Sequence, residues 1–538
     1  MSMFGDYKAY KKYQPQYDTW KFKRDLAEAK RLEYLKQHPD EKNPEDIKRA
    51  KTLIRAIDVM DDYSQKRAQD MEVATETVIG LGLELAMFGG GILGVLASRI
   101  KPINKFLASK FNGNKNAKEL ILMLPAAIGA AIGTLGALPL FAWGAKAEVA
   151  ASRKGRFEAM YKELNDPKGF AVLTDEQEQK AREIAPHIRI EEDKNKVLRS
   201  FNKSMESIKE VFVDSKEYKQ QKNAFNAQIL VDEQHFNDKM TAEEIEEAKK
   251  DQQILTKLVE KIDIASQDYA ENAELAAQTA FITVAGFSVL FSIGLEKILN
   301  ACKVKSAGKI STITKCLGIL ATIGTSIATA QVSKEASRVG RYKIKKELQQ
   351  NPEQLIYVSD EKTGEIKDVQ IKPHKKPGMF KFLQNAIKDT KEYKKYKKNE
   401  AKDEKRFYKA IEMLNLTPEQ IKEAERLQKN TFKTFSKVDD NTQKYSESVE
   451  ARGRGLSTPL TTIFSFIGAG IGMPFLMRKS KNSLEMTENF AKYIGVVLLS
   501  SIPSIAINAH ITKEQKKASR VANMVAINEM QDYRSFKG

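Results

Sequence analysis

The sequence predicts an all-α integral membrane protein, with six transmembrane helices arranged as three hairpin repeats, long soluble helical arms and small β-hairpin linkers. The first supporting observation is segregation. Of the 538 residues 41% are hydrophobic and 30% charged, but six stretches of the chain are almost free of charge. They cover residues 77–98, 120–145, 276–295, 310–330, 459–477 and 493–508. A helix of roughly 20 apolar residues matches the ~30 Å hydrocarbon core of a bilayer. The stretches fall into three close pairs, as hairpins would.

The second observation is repetition, which must be read before any motif. An Asp-x-Lys-x-Tyr-Lys pattern begins at Asp6, Asp214 and Asp389, and a tyrosine follows it 57, 55 and 56 residues later at Tyr63, Tyr269 and Tyr445. After each pair of apolar stretches comes Ala-Ser-Arg, with Ser152 and Arg153, Ser337 and Arg338, and Ser519 and Arg520. The first two copies extend to Gly155-Arg156 and Gly340-Arg341, whereas the third departs after Val521.

The repeat divides the chain into an arm (1–76), a hairpin (77–145) and a post-hairpin helix with linker (146–213). A second arm (214–275), hairpin (276–330) and linker (331–388) follow. The third arm (389–457), hairpin (458–508) and a C-terminal helix (509–538) complete the pattern. Thr241 with Glu244, and Thr417 with Gln420, have the spacing of capping boxes and predict helix starts. Alternation over residues 355–371, around Lys362-Thr363-Gly364, predicts a β-hairpin, and residues 170–173 with 188–190 predict a shorter counterpart.

Small residues recur every four positions: Gly90 and Gly94, Gly129 and Gly133, Gly318 with Thr322 and Ser326, and Gly468 with Gly472. Such spacing lets helix backbones approach closely and predicts helix-packing faces. Glu84 is the one carboxylate well inside an apolar stretch, a costly place for a charge, and is the candidate intramembrane polar site.

Chemistry-bearing patterns are scarce. Five histidines are scattered without metal-ligand spacing, Cys302 and Cys316 form no redox or zinc motif, and Ala307-Gly308-Lys309 lacks the glycine that would make it a phosphate loop. No catalytic constellation emerges, so neither an enzyme nor a bound cofactor is expected. The formal charge of +18 suits a protein whose arms face the anionic lipid headgroups of a bilayer, with protein partners of unspecified kind also open. Nucleic acid is the weaker reading of the same lysines. Residues 1–20 lack the apolar segment of a signal peptide, which places the arms and both termini in the cytoplasm of a multi-pass membrane protein. The predicted role is a membrane-embedded scaffold or tether presenting basic arms. The alternative is a three-repeat transporter or channel.

Overall fold

Helix boundaries follow the capping signals. The computed structural model describes residues 3–110, 151–190 apart from 161–163 and 165, 241–302, 307–358, 378–442 and 483–532, together with isolated positions between them. Over parts of the long helices it describes the backbone alone. The main helices are α1 (Met3–Gln37), α2 (Pro44–Ser98), α3 (Lys101–Lys110), α4 (Asp175–Ile184), α5 (Ala242–Ala301), α6 (Ala307–Gln350), α7 (Met379–Glu412), α8 (Pro418–Thr442) and α9 (Ser483–Asp532). A further helical segment covers 151–160.

Both predicted capping boxes form. The Thr241 hydroxyl accepts from the Glu244 amide at 3.2 Å while the Glu244 carboxylate accepts from the Thr241 amide at 2.9 Å. Thr417 and Gln420 repeat the exchange at 3.2 and 3.1 Å. These reciprocal bonds satisfy amides that a helix start leaves without partners. In the first repeat Asn43 caps α2 by accepting from the Glu45 amide at 3.0 Å, with Pro44 in the first turn, where a proline's missing N–H costs nothing.

Three antiparallel hairpins result, formed by α2 with 151–160, α5 with α6, and α8 with α9. The Ala-Ser-Arg markers sit at their contact lines. Ser152 and Ser64 share a hydrogen bond of 2.6 Å, and Ser337 and Ser266 share one of 3.0 Å. Glycine is required beside both. A Cβ on Gly155 would lie 2.8 Å from the Ser64 Cα, and one on Gly340 would lie 2.8 Å from the Ser266 Cα. Gly340→Ala is therefore expected to cost about 1–3 kcal/mol through backbone overpacking. Gly324→Ala, with nothing within 4 Å of its Cβ, should stabilise α6 by about 0.5–1 kcal/mol through helix propensity. Urea unfolding of the two variants checks the opposite signs.

The same contacts set the register of the repeats. A Cβ on Gly155 would lie 3.0 Å from the Arg67 Cβ, as one on Gly340 would from the Tyr269 Cβ. Ser64 thus corresponds to Ser266, and Arg67 rather than Tyr63 to Tyr269. The interval from cap to serine is one turn shorter in the first repeat, 43 to 64 against 241 to 266. The 3-10 turn Pro39–Glu41 occupies the missing turn ahead of α2.

Arms staple neighbouring hairpins. Tyr10 of α1 is buried among Tyr445, Ala518, Val521 and Ala522 of the third hairpin, and further along the same helix Arg24 pairs with Glu260 of the second at 3.1 Å. Helix α7 does likewise one position around. Its Tyr393 packs with Val339 and Tyr342 of the second hairpin, and its Lys405 pairs with Asp62 of the first at 2.6 Å. The second copy of the arm marker, at 214–219, lies outside the described residues.

Two expectations are corrected. Among the described residues no helix is long and apolar enough to cross a membrane. The six-span fold, and the multi-pass placement that rests on it, are therefore overturned where the structure speaks. Length in α2, α5, α6 and α9 comes from continuity with a charged half, and Ser, Thr and Gly dilute stretches such as 310–330. Residues 120–145 and 459–477 lie almost wholly outside the described residues. The β-hairpin linkers are overturned as well, for no strand occurs among the described residues. Proline opens a 3-10 turn at Pro167–Phe170 and at Pro352–Leu355. The extended residues that follow each turn give their carbonyls to side chains. Val172 O accepts from Gln420 at 3.2 Å and Ile356 O accepts from Arg31, which also bonds Gln354 O within the second turn. A backbone group satisfied this way needs no partner strand. Residues 359–377 lie outside the description.

Candidate functional site

The most concentrated chemistry is a closed ring of buried charge where the three hairpins meet. Each of α2, α5 and α8 contributes one aspartate, Asp61, Asp263 and Asp439, three residues before the Ser64, Ser266 and Thr442 that share a register. Each returning helix contributes the residue four beyond its marker serine, namely Arg156, Arg341 and Asn523. Arg341 donates to Asp61 at 2.8 Å and to Asp263 at 3.0 Å. Arg156 donates to Asp439 at 2.5 Å and lies 3.8 Å from Asp61. Asn523 donates to Asp263 at 2.9 Å and accepts from the Thr442 hydroxyl at 3.0 Å. Every returning helix therefore joins its own hairpin to the one before it, and the third joins back to the first through Arg156.

Substitution of asparagine for the third arginine leaves a mark on the electrostatics. Asp61 faces Arg341, Lys345 and Arg156, which hold its carboxyl below the usual range although burial opposes them. Asp263 has one direct guanidinium and a neutral amide, and burial raises its pKa. The same residue types in the same places thus give opposite shifts, because the number of adjacent cations differs.

One turn before the ring lie Asp58 and its counterpart Glu260. Lys345 contacts Asp58 and sits 3.4 Å from Asp61, while Arg24 reaches Glu260 at 3.1 Å. Burial pushes both carboxyls up to about 7 against the pull of these cations. A carboxyl whose folded pKa exceeds its unfolded value makes the native state bind more protons, so stability falls as pH rises between the two values. For Glu260 that window runs from 4.5 to about 7, a penalty of roughly 3 kcal/mol at neutral pH. The thermal midpoint should therefore be higher at pH 5 than at pH 7.5. Glu260→Gln should narrow that difference, and an unchanged pH profile would refute the assignment.

A second charged layer lies twelve residues earlier on α2 and α5, about 18 Å along a helix. Asp251, fully buried, is held by Arg49 at 3.2 Å and by Arg426 at 3.0 Å. Between the layers the core is apolar, with Leu53, Ile57, Leu255, Val259 and Phe435 among its residues.

The remaining residues singled out by the sequence are more dispersed. Arg153 is buried, Arg338 pairs with Glu335 at 3.2 Å, and Arg520 donates to Asp268 at 2.6 Å and to Glu271. Ser519 accepts from Gln267 at 2.5 Å. Gly129 lies directly against the Gly90 carbonyl, where a Cβ would be 3.0 Å from the Gly94 Cα, and a Cβ on Gly472 would lie 2.9 Å from the Tyr493 ring. Gly133, Gly318 and Gly468 fall on helical backbone, Gly468 buried. The side chains of Glu84, Thr322 and Ser326 are outside the description. Among the described residues no group of His, Cys, Asp or Glu could hold a metal ion.

Comparison with known proteins brings no match, whether to a family model, a curated protein or a solved structure.

Proposed function

We propose that this chain is a non-catalytic helical scaffold that presents the basic faces of its arms to an acidic protein partner. One observation carries the reading, the way the arm marker divides. In both described copies the tyrosine points inward, Tyr10 fully buried and Tyr393 nearly so. The lysines around it stay exposed, Lys8 and Lys12 on α1 and Lys391, Lys394 and Lys395 on α7. A docked helix thereby holds its cations in fixed places instead of on a free tail. Ordered charge of one sign steers an oppositely charged surface and selects against others. The buried charges described above are engaged in joining hairpins, which suits a frame more than a reaction centre.

The test is a charge reversal of Lys391, Lys394 and Lys395 to Glu, with helix content checked by circular dichroism. Wild-type chain purified from its native source should carry a partner in fixed stoichiometry, and the reversed chain should lose it. Retention of that partner by the folded variant would reject the proposal. So would binding to phosphatidylserine vesicles with no protein partner at all.

A further inference from the structure

A second feature of the fold lies away from both charged layers. A cleft of about 760 Å³ opens where α2, α4, the end of α6 and α7 converge, lined by Arg55, Arg182 and Phe407 and by carboxylates that include Glu400, Asp403 and Glu404 of α7. Two guanidiniums gather on one aromatic ring there. The Arg55 Cζ is 5.1 Å from the Phe407 ring centroid and the Arg182 Cζ is 5.3 Å from it. Stacking of this kind orients a guanidinium without consuming its in-plane N–H donors.

Those donors are largely unspent on Arg55. Among the described residues its one hydrogen bond runs from Nη2 to the Thr52 hydroxyl at 3.0 Å, and its Nε is shielded from solvent with no partner. No carboxylate bonds it directly. Four arginines of the charged layers differ sharply, since Arg156 and Arg341 each pair with two carboxylates and Arg49 and Arg426 each with three. Arg182 is tied to Glu178 on its own helix at 2.7 Å, with its side chain mostly in water, so it can swing. Shielding from water lowers the Arg55 pKa from its ordinary value although the nearby Glu178 carboxylate pulls the other way, the direction expected of a buried cation without a direct ion pair. An arginine remains charged throughout the accessible pH range.

We propose that this cleft binds a small oxyanion-bearing ligand, its carboxylate or phosphate group forked by Arg55 and closed over by Arg182. The planar five-donor guanidinium matches two oxygens of either group at once. Bound there, the ligand would join the first hairpin, the linker helix α4 and the third arm, adding to the Phe407 stack and to the Lys48–Asp175 ion pair at 2.9 Å.

The experiment uses the full chain, with inorganic phosphate and citrate as separate probes against sodium chloride at equal ionic strength. Thermal midpoints and isothermal titration are read together. Phosphate, citrate or both should raise the midpoint above the chloride control, and the stronger probe identifies the favoured oxyanion. Arg55→Gln should abolish that rise. Arg182→Gln, at an exposed position whose loss does not threaten folding, should weaken binding about tenfold. Arg406→Gln, already paired with Asp403 at the rim at 3.0 Å, should bind as the wild type does. If neither probe shifts the wild-type midpoint beyond chloride, or if Arg182→Gln binds as tightly as wild type, the site does not exist as described.

Discussion

Asp61→Ala is expected to cost roughly 3–5 kcal/mol, the range for removing one partner from a buried ionic cluster. The size follows from what remains. Asp61 is 1% exposed, and its carboxylate is the common counter-charge of Arg341 at 2.8 Å, Lys345 at 3.4 Å and Arg156 at 3.8 Å. Without it the three cations lose their shared counter-charge in a site that water does not reach, and each keeps a single carboxylate, Asp263, Asp58 and Asp439 in turn. Asp61→Asn should lose nearly as much, because it restores volume without charge, and this separates electrostatics from packing. Asp263→Ala should cost less, since its surroundings hold one direct guanidinium and Asn523. Asp403→Ala, an exposed partner of Arg406, should change stability by less than about 0.5 kcal/mol. Urea unfolding followed at 222 nm gives the order. A loss below about 1 kcal/mol for Asp61→Ala would mean that the ring holds nothing together.

The helical character and the capping boxes were legible in the sequence, whereas the membrane spans and strands read from it are overturned. Ala-Ser-Arg marked the right elements because its serine and the glycine three residues on are forced by close helix contact, which leaves a fixed local spacing. The carboxylates they meet left no such trace to a reader looking for chemistry. Asp61, Asp263 and Asp439 sit in charged stretches that resemble solvated faces, and Arg156 meets Asp439 across 283 residues. A signal was nonetheless present. Asp-x-x-Ser/Thr-Gln occurs at Asp61, Asp263 and Asp439, and it gives the register that the tyrosines misplace by one turn in the first repeat. The loss of glycine and arginine at Ala522 and Asn523 was visible too, but its meaning needed the ring. Each apolar run of roughly 20 residues marked only part of its helix, since α2, α5, α6 and α9 run on through a charged half to 55, 60, 44 and 50 residues. Alternation after Leu355 looked like strand because period-two patterning cannot reveal that side chains, Arg31 among them, take up the carbonyls.

Tyr10→Ala is expected to release α1 from the bundle. Tyr10 is fully buried, its hydroxyl donates to Glu514 at 3.0 Å, and Lys11 contacts the same carboxylate. Truncating a buried aromatic costs about 3–5 kcal/mol where the site cannot collapse, and here the cavity would open between α1 and the Tyr445–Ala518–Val521 cluster. Position in the ring makes the consequence larger than the cavity. Helix α1 comes first in the sequence yet fills on the third hairpin the place that α7 fills on the second, so it bridges the third hairpin to the second through Arg24 and Lys21, the latter 3.1 Å from Asp268. Losing it removes a staple as well as a side chain. Hydrogen exchange resolved by segment should show faster exchange across α1 and the later part of α9, with α5 and α6 nearer to wild type. Tyr393→Ala should produce the same pattern one hairpin along, in α7 and α6. Should Tyr10→Ala leave the exchange of α1 unchanged, the two arms are not equivalent, and the threefold plan ends at the hairpins.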